Sequence, residues 1–126
     1  MMKTVFKSVC ATTLLAISSL ALACDYPAAV DIPNGSTATK EEMIGGVNAF
    51  KAWQQALVEY RACIESETSE AIAALADSGA SAAEQEQSKL ALEKQLTQKH
   101  DASVDEEQIL AADMNAQIKA YKSKQQ

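Results

Sequence analysis

The chain has 126 residues with 17 acidic and 11 basic side chains, a net charge of −6 at neutral pH, and one histidine. This acidic balance argues against nucleic acid and anionic membrane surfaces as partners, because both repel a negatively charged protein. Metal sites and catalytic triads need several converging side chains, and the sequence shows no motif for either. We therefore expect no enzymatic activity, no cofactor and no bound metal.

The first 23 residues have the pattern of a secretory signal peptide. Two lysines precede an apolar run over 9–23 that ends in Ala21-Leu22-Ala23. A positive start, a short apolar centre and an A-x-A ending are typical of export signals. The apolar run is also shorter than the ~20 residues of a membrane-spanning helix. We expect cleavage after Ala23 and a periplasmic or secreted protein of the bacterial envelope, whose net charge falls to −8 with the loss of the two lysines.

Cys24 would be the first residue after cleavage, and two fates are open to it. A cysteine at this position resembles the lipidation site of bacterial lipoproteins, although such sites usually carry Leu where this chain has Ala21. The other fate is a disulfide with Cys63, the only other cysteine after residue 23, as expected in an oxidising compartment. We favour the disulfide, with a lipid-anchored envelope lipoprotein modified at Cys24 as the alternative.

Residues 24–38 are predicted to form an extended strap. Pro27 and Pro33 favour extended backbone at the residues before them, and Asn34-Gly35 is a turn signal. The strap reaches about 46 Å in a polyproline-like conformation. The helix that follows rises about 36 Å from its start to Cys63, so the strap is long enough to double back and bring the two cysteines together.

That first helix is predicted over about 39–77. Thr39 and Glu42 have the spacing of a capping box, and Gly79 is a C-terminal signal. Apolar residues recur at the helical period, including Met43, Phe50, Trp53, Leu57, Tyr60, Ile64 and Leu75. So long an apolar face must be covered, and its aromatic residues are expected in the core rather than in a ligand groove.

One flank of the first helix carries a column of small residues. The column comprises Gly45, Ala49, Ala52, Ala56 and Cys63. We expect the strap to lie along it, because small side chains allow another backbone to approach closely. Helix-favouring alanines on a boundary face would produce the same column without any strap.

The second helix is predicted over about 82–123. Ser81 and Glu84 form another capping box, and the connection of about four residues favours an antiparallel neighbour. Its apolar face is thin between 97 and 108, where Ser103 and Glu106 match a third capping box, so a break near Asp101 is one reading. We favour a continuous helix, because no turn-forming residue stands there. The predicted fold is all-α: an antiparallel two-helix hairpin over 39–126 with an extended N-terminal strap tied to helix 1 by a disulfide.

Several short motifs run through the chain after residue 23. They are Cys24 with Pro27, Ile32-Pro33-Asn34-Gly35, Thr39 with Glu42-Met43, Tyr60-x-x-Cys63, Met114-Asn115 and Ala120-Tyr121-Lys122. Together they resemble a family of small exported bacterial proteins with a Cys/Pro-rich start, an I-P-[DN]-G turn and a Y-x-x-C helix. The resemblance implies a helical hairpin with paired cysteines, and it implies no activity.

The remaining chemistry in the sequence is sparse. His100 is followed by Asp101. Glu93 and Glu107 lie two turns away on either side, about 10 Å along the axis, too far to share a metal ion with His100. We expect His100 to be a packed boundary residue. The favoured function is an exported, non-enzymatic helical protein that contacts another envelope protein or itself, with no membrane contact unless Cys24 is lipidated.

Overall fold

The computed structural model describes residues 24–126, and the predicted signal peptide lies outside the described residues. After the strap come helix α1 over Lys40–Ala74, a 3-10 turn over Leu75–Asp77 and helix α2 over Ala82–Ser123. No strand occurs in this part of the chain. The two helices pack against each other, and a disulfide joins Cys24 to Cys63. The predicted all-α hairpin with its tied strap is confirmed.

Both helices begin with the predicted capping boxes. In α1 the Glu42 amide donates to Thr39 Oγ1 at 3.2 Å, and the Thr39 amide donates to the Glu42 carboxylate at 2.7 Å. At the start of α2 the Glu84 amide donates to Ser81 Oγ at 3.3 Å, and the Ser81 amide donates to the Glu84 carboxylate at 2.8 Å. These bonds satisfy amides that a helix start otherwise leaves unpaired. Gly79, with a φ of +74°, turns the chain between the helices, a conformation that glycine adopts without strain.

Helix α2 is continuous past Asp101, as predicted. Ser103, which matched a third capping box by spacing, lies inside the helix instead. Its hydroxyl donates to the carbonyl oxygen of His100 at 2.7 Å, a bond that serine commonly makes to the preceding turn within helices. Ser103 is fully buried. The thin part of the apolar face is therefore a place where α2 presents a small polar side chain to α1.

The core is built mainly from α1. Its buried side chains are Met43, Phe50, Trp53, Leu57, Tyr60 and Ile64. The rings of Phe50 and Trp53 stack with their centroids 5.9 Å apart, which confirms the prediction that the aromatic residues belong to the core. The partners that pack on this cluster are Met114, Leu110, Ala111 and Ile118 from α2, and Val30 and Ile32 from the strap. Helix α1 is thus the central element, covered by α2 and by the strap.

The strap lies in one of the two grooves between the helices and contacts both of them. The Tyr26 ring packs edge-on against Tyr60 of α1 at 4.9 Å between centroids, and its hydroxyl donates to the Glu106 carboxylate of α2. Further along, the Gly35 amide donates to Gln117 Oε1 of α2 at 2.9 Å. The disulfide, these polar contacts and the partly buried side chains of Val30 and Ile32 hold the strap along its length.

The structure places the strap beside the predicted small-residue column rather than on it. Strap residues Ala29, Val30, Asp31 and Pro33 border a cleft with Gly45 and Ala49, and the disulfide ties Cys24 to Cys63 at the end of the column. Ala49 and Ala52 are exposed, and a Cβ added to Gly45 would meet no atom within 4 Å. The close approach occurs at Gly46, where an added Cβ would lie 2.4 Å from the Pro33 ring. The strap is displaced toward α2 because apolar side chains gain more from burial against the core cluster than against alanine methyl groups.

Candidate functional site

The second groove between the helices is open and apolar. It lies near the start of α1 and the end of α2, and its volume is about 320 Å³. Its lining residues are Lys40, Met43, Ile44, Val47, Asn48, Ile118 and Tyr121. Ile44 is about 160° around α1 from Gly46, at 100° per residue, so this groove faces away from the strap. We call it the open groove.

The open groove has a buried floor and an exposed lip. Met43 is only 5% exposed, whereas Ile44 is 51% exposed. Val58, at 54% exposed, lies within about 40° of Ile44 around α1 but does not line the groove. Single exposed aliphatic residues are ordinary on a protein surface. Ile44 differs from the others in that it borders an apolar groove whose floor is buried.

Lysines outnumber carboxylates around the open groove, in contrast to the rest of the protein. Residues 114–126 of α2 and the tail contain three lysines and no acidic residue. One of them, Lys124, donates to the Ala38 carbonyl oxygen and lies 5.0 Å above the Tyr121 ring. The acidic Glu42 of α1 is bonded to Thr39 and lines the strap side of the helix. Hydrogen bonds from Thr39, first through its backbone amide, lower the pKa of Glu42.

A polar cluster crosses the interface between the helices at mid-length. Arg61 of α1 donates through Nε to Ser103 Oγ at 2.8 Å and through Nη2 to the Glu107 carboxylate at 2.7 Å. Gln54 Nε2 donates to the other Glu107 oxygen at 2.9 Å. The hydrogen bond from Arg61 is the main reason why the pKa of Glu107 is lowered.

This cluster is a structural clamp that sequence reasoning missed. Its charged groups are directed at each other, so it fixes the axial register of α1 against α2 rather than presenting a reactive group. The signal in the sequence was the thin apolar face between 97 and 108, together with the lone cation of residues 52–77, Arg61.

The structure does not bring His100 into a site. Its Nδ1 lies 3.4 Å from Asp101 Oδ1, and 41% of its side chain is exposed. Glu107 is bonded to Arg61 instead, and the Ser103 hydroxyl bonds the backbone of His100 rather than its ring. Among residues 24–126 no group of three or more His, Cys, Asp or Glu side chains is placed to hold a metal ion.

Two observations concern the membrane. None of the described helices combines the length and the apolar character needed to cross a bilayer. The sulfur of Cys24 is bonded to that of Cys63, with the two Cα atoms 5.8 Å apart, and lipidation of Cys24 would need that same sulfur as a free thiol.

No family model, curated protein or solved structure matches the chain. The resemblance to a family of small exported proteins therefore stays a prediction.

Proposed function

We propose that the protein is an exported, non-enzymatic helical module of the bacterial envelope that binds another protein through the open groove. The observation that carries the proposal is that the strap covers only one of the two grooves between the helices. The strap fills one of them with Val30 and Ile32, while the other keeps Ile44 half exposed above buried Met43. The chain thus leaves one apolar groove available to a partner.

The disulfide supports the proposed compartment. Disulfides persist in oxidising compartments such as the periplasm and are rare in the cytosol. The bond between Cys24 and Cys63 closes a loop with a sequence separation of 39, for which the chain-entropy model gives a stabilisation of about 4 kcal/mol. A two-helix hairpin buries little surface, so a crosslink of this size is a large share of its stability.

The lining of the open groove supports binding rather than catalysis. Lys40, Asn48 and Tyr121 are its polar members, and they include no carboxylate, histidine or thiol that could act as a general base or nucleophile near neutral pH. Binding through apolar contacts with a few polar groups at the margin is what such a lining provides.

The test is site-specific photocrosslinking in intact cells. A photoreactive residue at position 44 should give a discrete protein adduct, because this side chain lies on the lip of the groove. The matched control is position 109, since Ile109 is 68% exposed but does not line the groove. The adduct at position 44 should also be lost when Ile118→Ser is added. Equal adducts at both positions, or no adduct at position 44, would contradict a role for the groove.

A further inference from the structure

We infer that the partner seated in the open groove is an acidic amphipathic helix. This inference rests on the proposed function and specifies the chemistry of the partner. It is carried by two independent features of the groove, its elongated open shape and the sign of the charges around it.

The shape favours a helix. The lining of α1 runs from Lys40 to Asn48, a rise of about 12 Å, or roughly two helical turns. A groove between two helices accepts a third helix that inserts side chains at i, i+3 or i+4, and i+7. Small-molecule sites usually enclose their ligand and bury 70–90% or more of its surface. This groove is instead open along one side, where Ile44 is half exposed.

The charges favour an acidic partner. Lys40 lines the groove, and Lys51 follows Ile44 by seven residues, which places it within about 20° of that side chain around α1. Lys122 stands one turn after Ile118 on α2. Neither Lys40 nor Lys51 nor Lys122 forms a salt bridge with any of the described residues.

Two of the carboxylates at this end of the hairpin are bonded away from the open groove. Glu42 bonds Thr39, and Asp113 accepts from Gln117 Nε2 at 3.0 Å, on the side where Gln117 also holds the strap. A third, Glu41, is exposed and lies about 60° from Ile44 around α1, on the opposite side of it from Lys40 and Lys51. A partner with carboxylates beside its apolar stripe would therefore meet uncompensated lysines, and such complementarity raises both the association rate and the specificity.

The same charges disfavour a second copy of the chain as the occupant. An isologous dimer places the same surface patch on both subunits. Two copies facing each other through the open groove would bring Lys40 and Lys51 of one close to the same lysines of the other. Like charges brought together in this way are repulsive.

The test uses three synthetic peptides and the oxidised protein. Each peptide has about 18 residues, long enough to form a helix in water. The first carries Leu at the helical period with Glu on both flanks, the second replaces the Glu residues by Lys, and the third scrambles the first so that no apolar face remains. Binding is followed by fluorescence anisotropy of labelled peptide at low and at high salt.

We expect the Glu peptide to bind at least about tenfold more tightly than the other two, with an affinity that falls as salt is added. Ile44→Ser should weaken binding by about tenfold, because a buried isoleucine contact is lost. The double variant Lys40→Glu, Lys122→Glu should weaken it several-fold and remove the salt dependence. Ile109→Ser and Lys99→Glu are the matched controls and should leave the affinity unchanged, since neither residue lines the groove.

Four results would overturn the inference. The first two are equal affinities for the Glu and Lys peptides, and a loss of affinity in the control variants as large as that in Ile44→Ser. The third is displacement of the Glu peptide by decanoate at a lower concentration than by unlabelled peptide. The fourth is self-association of the protein that Ile44→Ser abolishes. The last two would assign the groove to a small amphiphile and to a second copy. If crosslinking at position 44 succeeds while the Glu peptide fails, the proposed function stands and only the partner chemistry is wrong. If both fail, the proposed function is wrong as well.

Discussion

Two adjacent glycines in α1 offer a direct test of how the strap is held. Gly45 and Gly46 both lie inside the helix, where replacing Gly by Ala stabilises by about 1 kcal/mol through helix propensity alone. A Cβ on Gly45 meets no atom within 4 Å, whereas a Cβ on Gly46 would lie 2.4 Å from two ring carbons of Pro33. Gly45→Ala should therefore stabilise the oxidised protein, and Gly46→Ala should not.

The size of the difference follows from how little the strap can yield at Pro33. An ordinary contact with a Cβ is 3.4 Å or more, so the ring must retreat by about 1 Å, an overpacking that costs about 1–3 kcal/mol. The strap resists this movement because the disulfide at Cys24 fixes one end and the hydrogen bond from Gly35 to Gln117 fixes the other. Since both variants gain the same helix propensity, Gly46→Ala should be about 1–3 kcal/mol less stable than Gly45→Ala.

The assay is urea unfolding followed by circular dichroism, with free energies obtained by linear extrapolation. In a domain of this size each 1 kcal/mol corresponds to a shift of about 4–8 °C in Tm, so thermal melts provide a second readout. Reduction of the disulfide frees one end of the strap, and the difference between the two variants should then shrink. Equal stabilities of the two oxidised variants would mean that the strap does not press on Gly46 and would refute the reasoning.

Three further predictions concern the contacts that hold the hairpin together. Cys63→Ser, or reduction of the parent, should lower the free energy of unfolding by about 4 kcal/mol in the chain-entropy model. Non-reducing peptide mapping of freshly exported protein should show the two cysteine peptides linked, and unlinked cysteines would contradict the pairing. Burial, followed by the hydrogen bond to the Glu106 carboxylate, raises the pKa of Tyr26 from 10.0 to about 12. The stability that this tyrosine contributes is therefore full below pH 10 and lost as pH rises toward about 12. In a spectrophotometric titration the ionisation near pH 12 should disappear in Tyr26→Phe, and its persistence in that variant would contradict the assignment. Arg61→Ala should lower the free energy of unfolding in urea by about 1–3 kcal/mol, because Glu107 loses its cationic partner. The double variant with Glu107→Ala should recover part of that loss. No recovery would show that the pair does not couple the helices.

The elements of the fold could be predicted because their signals are local. Capping boxes at Thr39 and Ser81 and the glycine at position 79 mark the helix ends through bonds made within a few residues. The cysteine pair was also predictable, since only two cysteines follow residue 23 and the strap is long enough to join them. Reach and cysteine count need no knowledge of how the side chains pack.

The position of the strap could not be predicted in the same way. A column of small residues shows where a backbone is able to approach, but not whether a better surface lies beside it. That surface is complete only once α2 is in place, because the core cluster on which Val30 and Ile32 pack includes Met114 of α2. The clamp between Arg61 and Glu107 was missed for the same reason, since the two residues lie 46 positions apart in the chain.

The open groove is the consequence of a hairpin with a single strap. Two packed helices have a groove on each side, and α1 is apolar over a wider arc than α2 alone can cover. The strap can occupy only one groove, because the disulfide at Cys63 and the glycine contact at Gly46 both lie on the same side of α1. The apolar residues on the other side, with Ile44 at the lip, must remain exposed unless a partner covers them, and burying one such side chain contributes about 1.5–3 kcal/mol. The crosslink that stabilises the hairpin thus also determines which of the two grooves stays open.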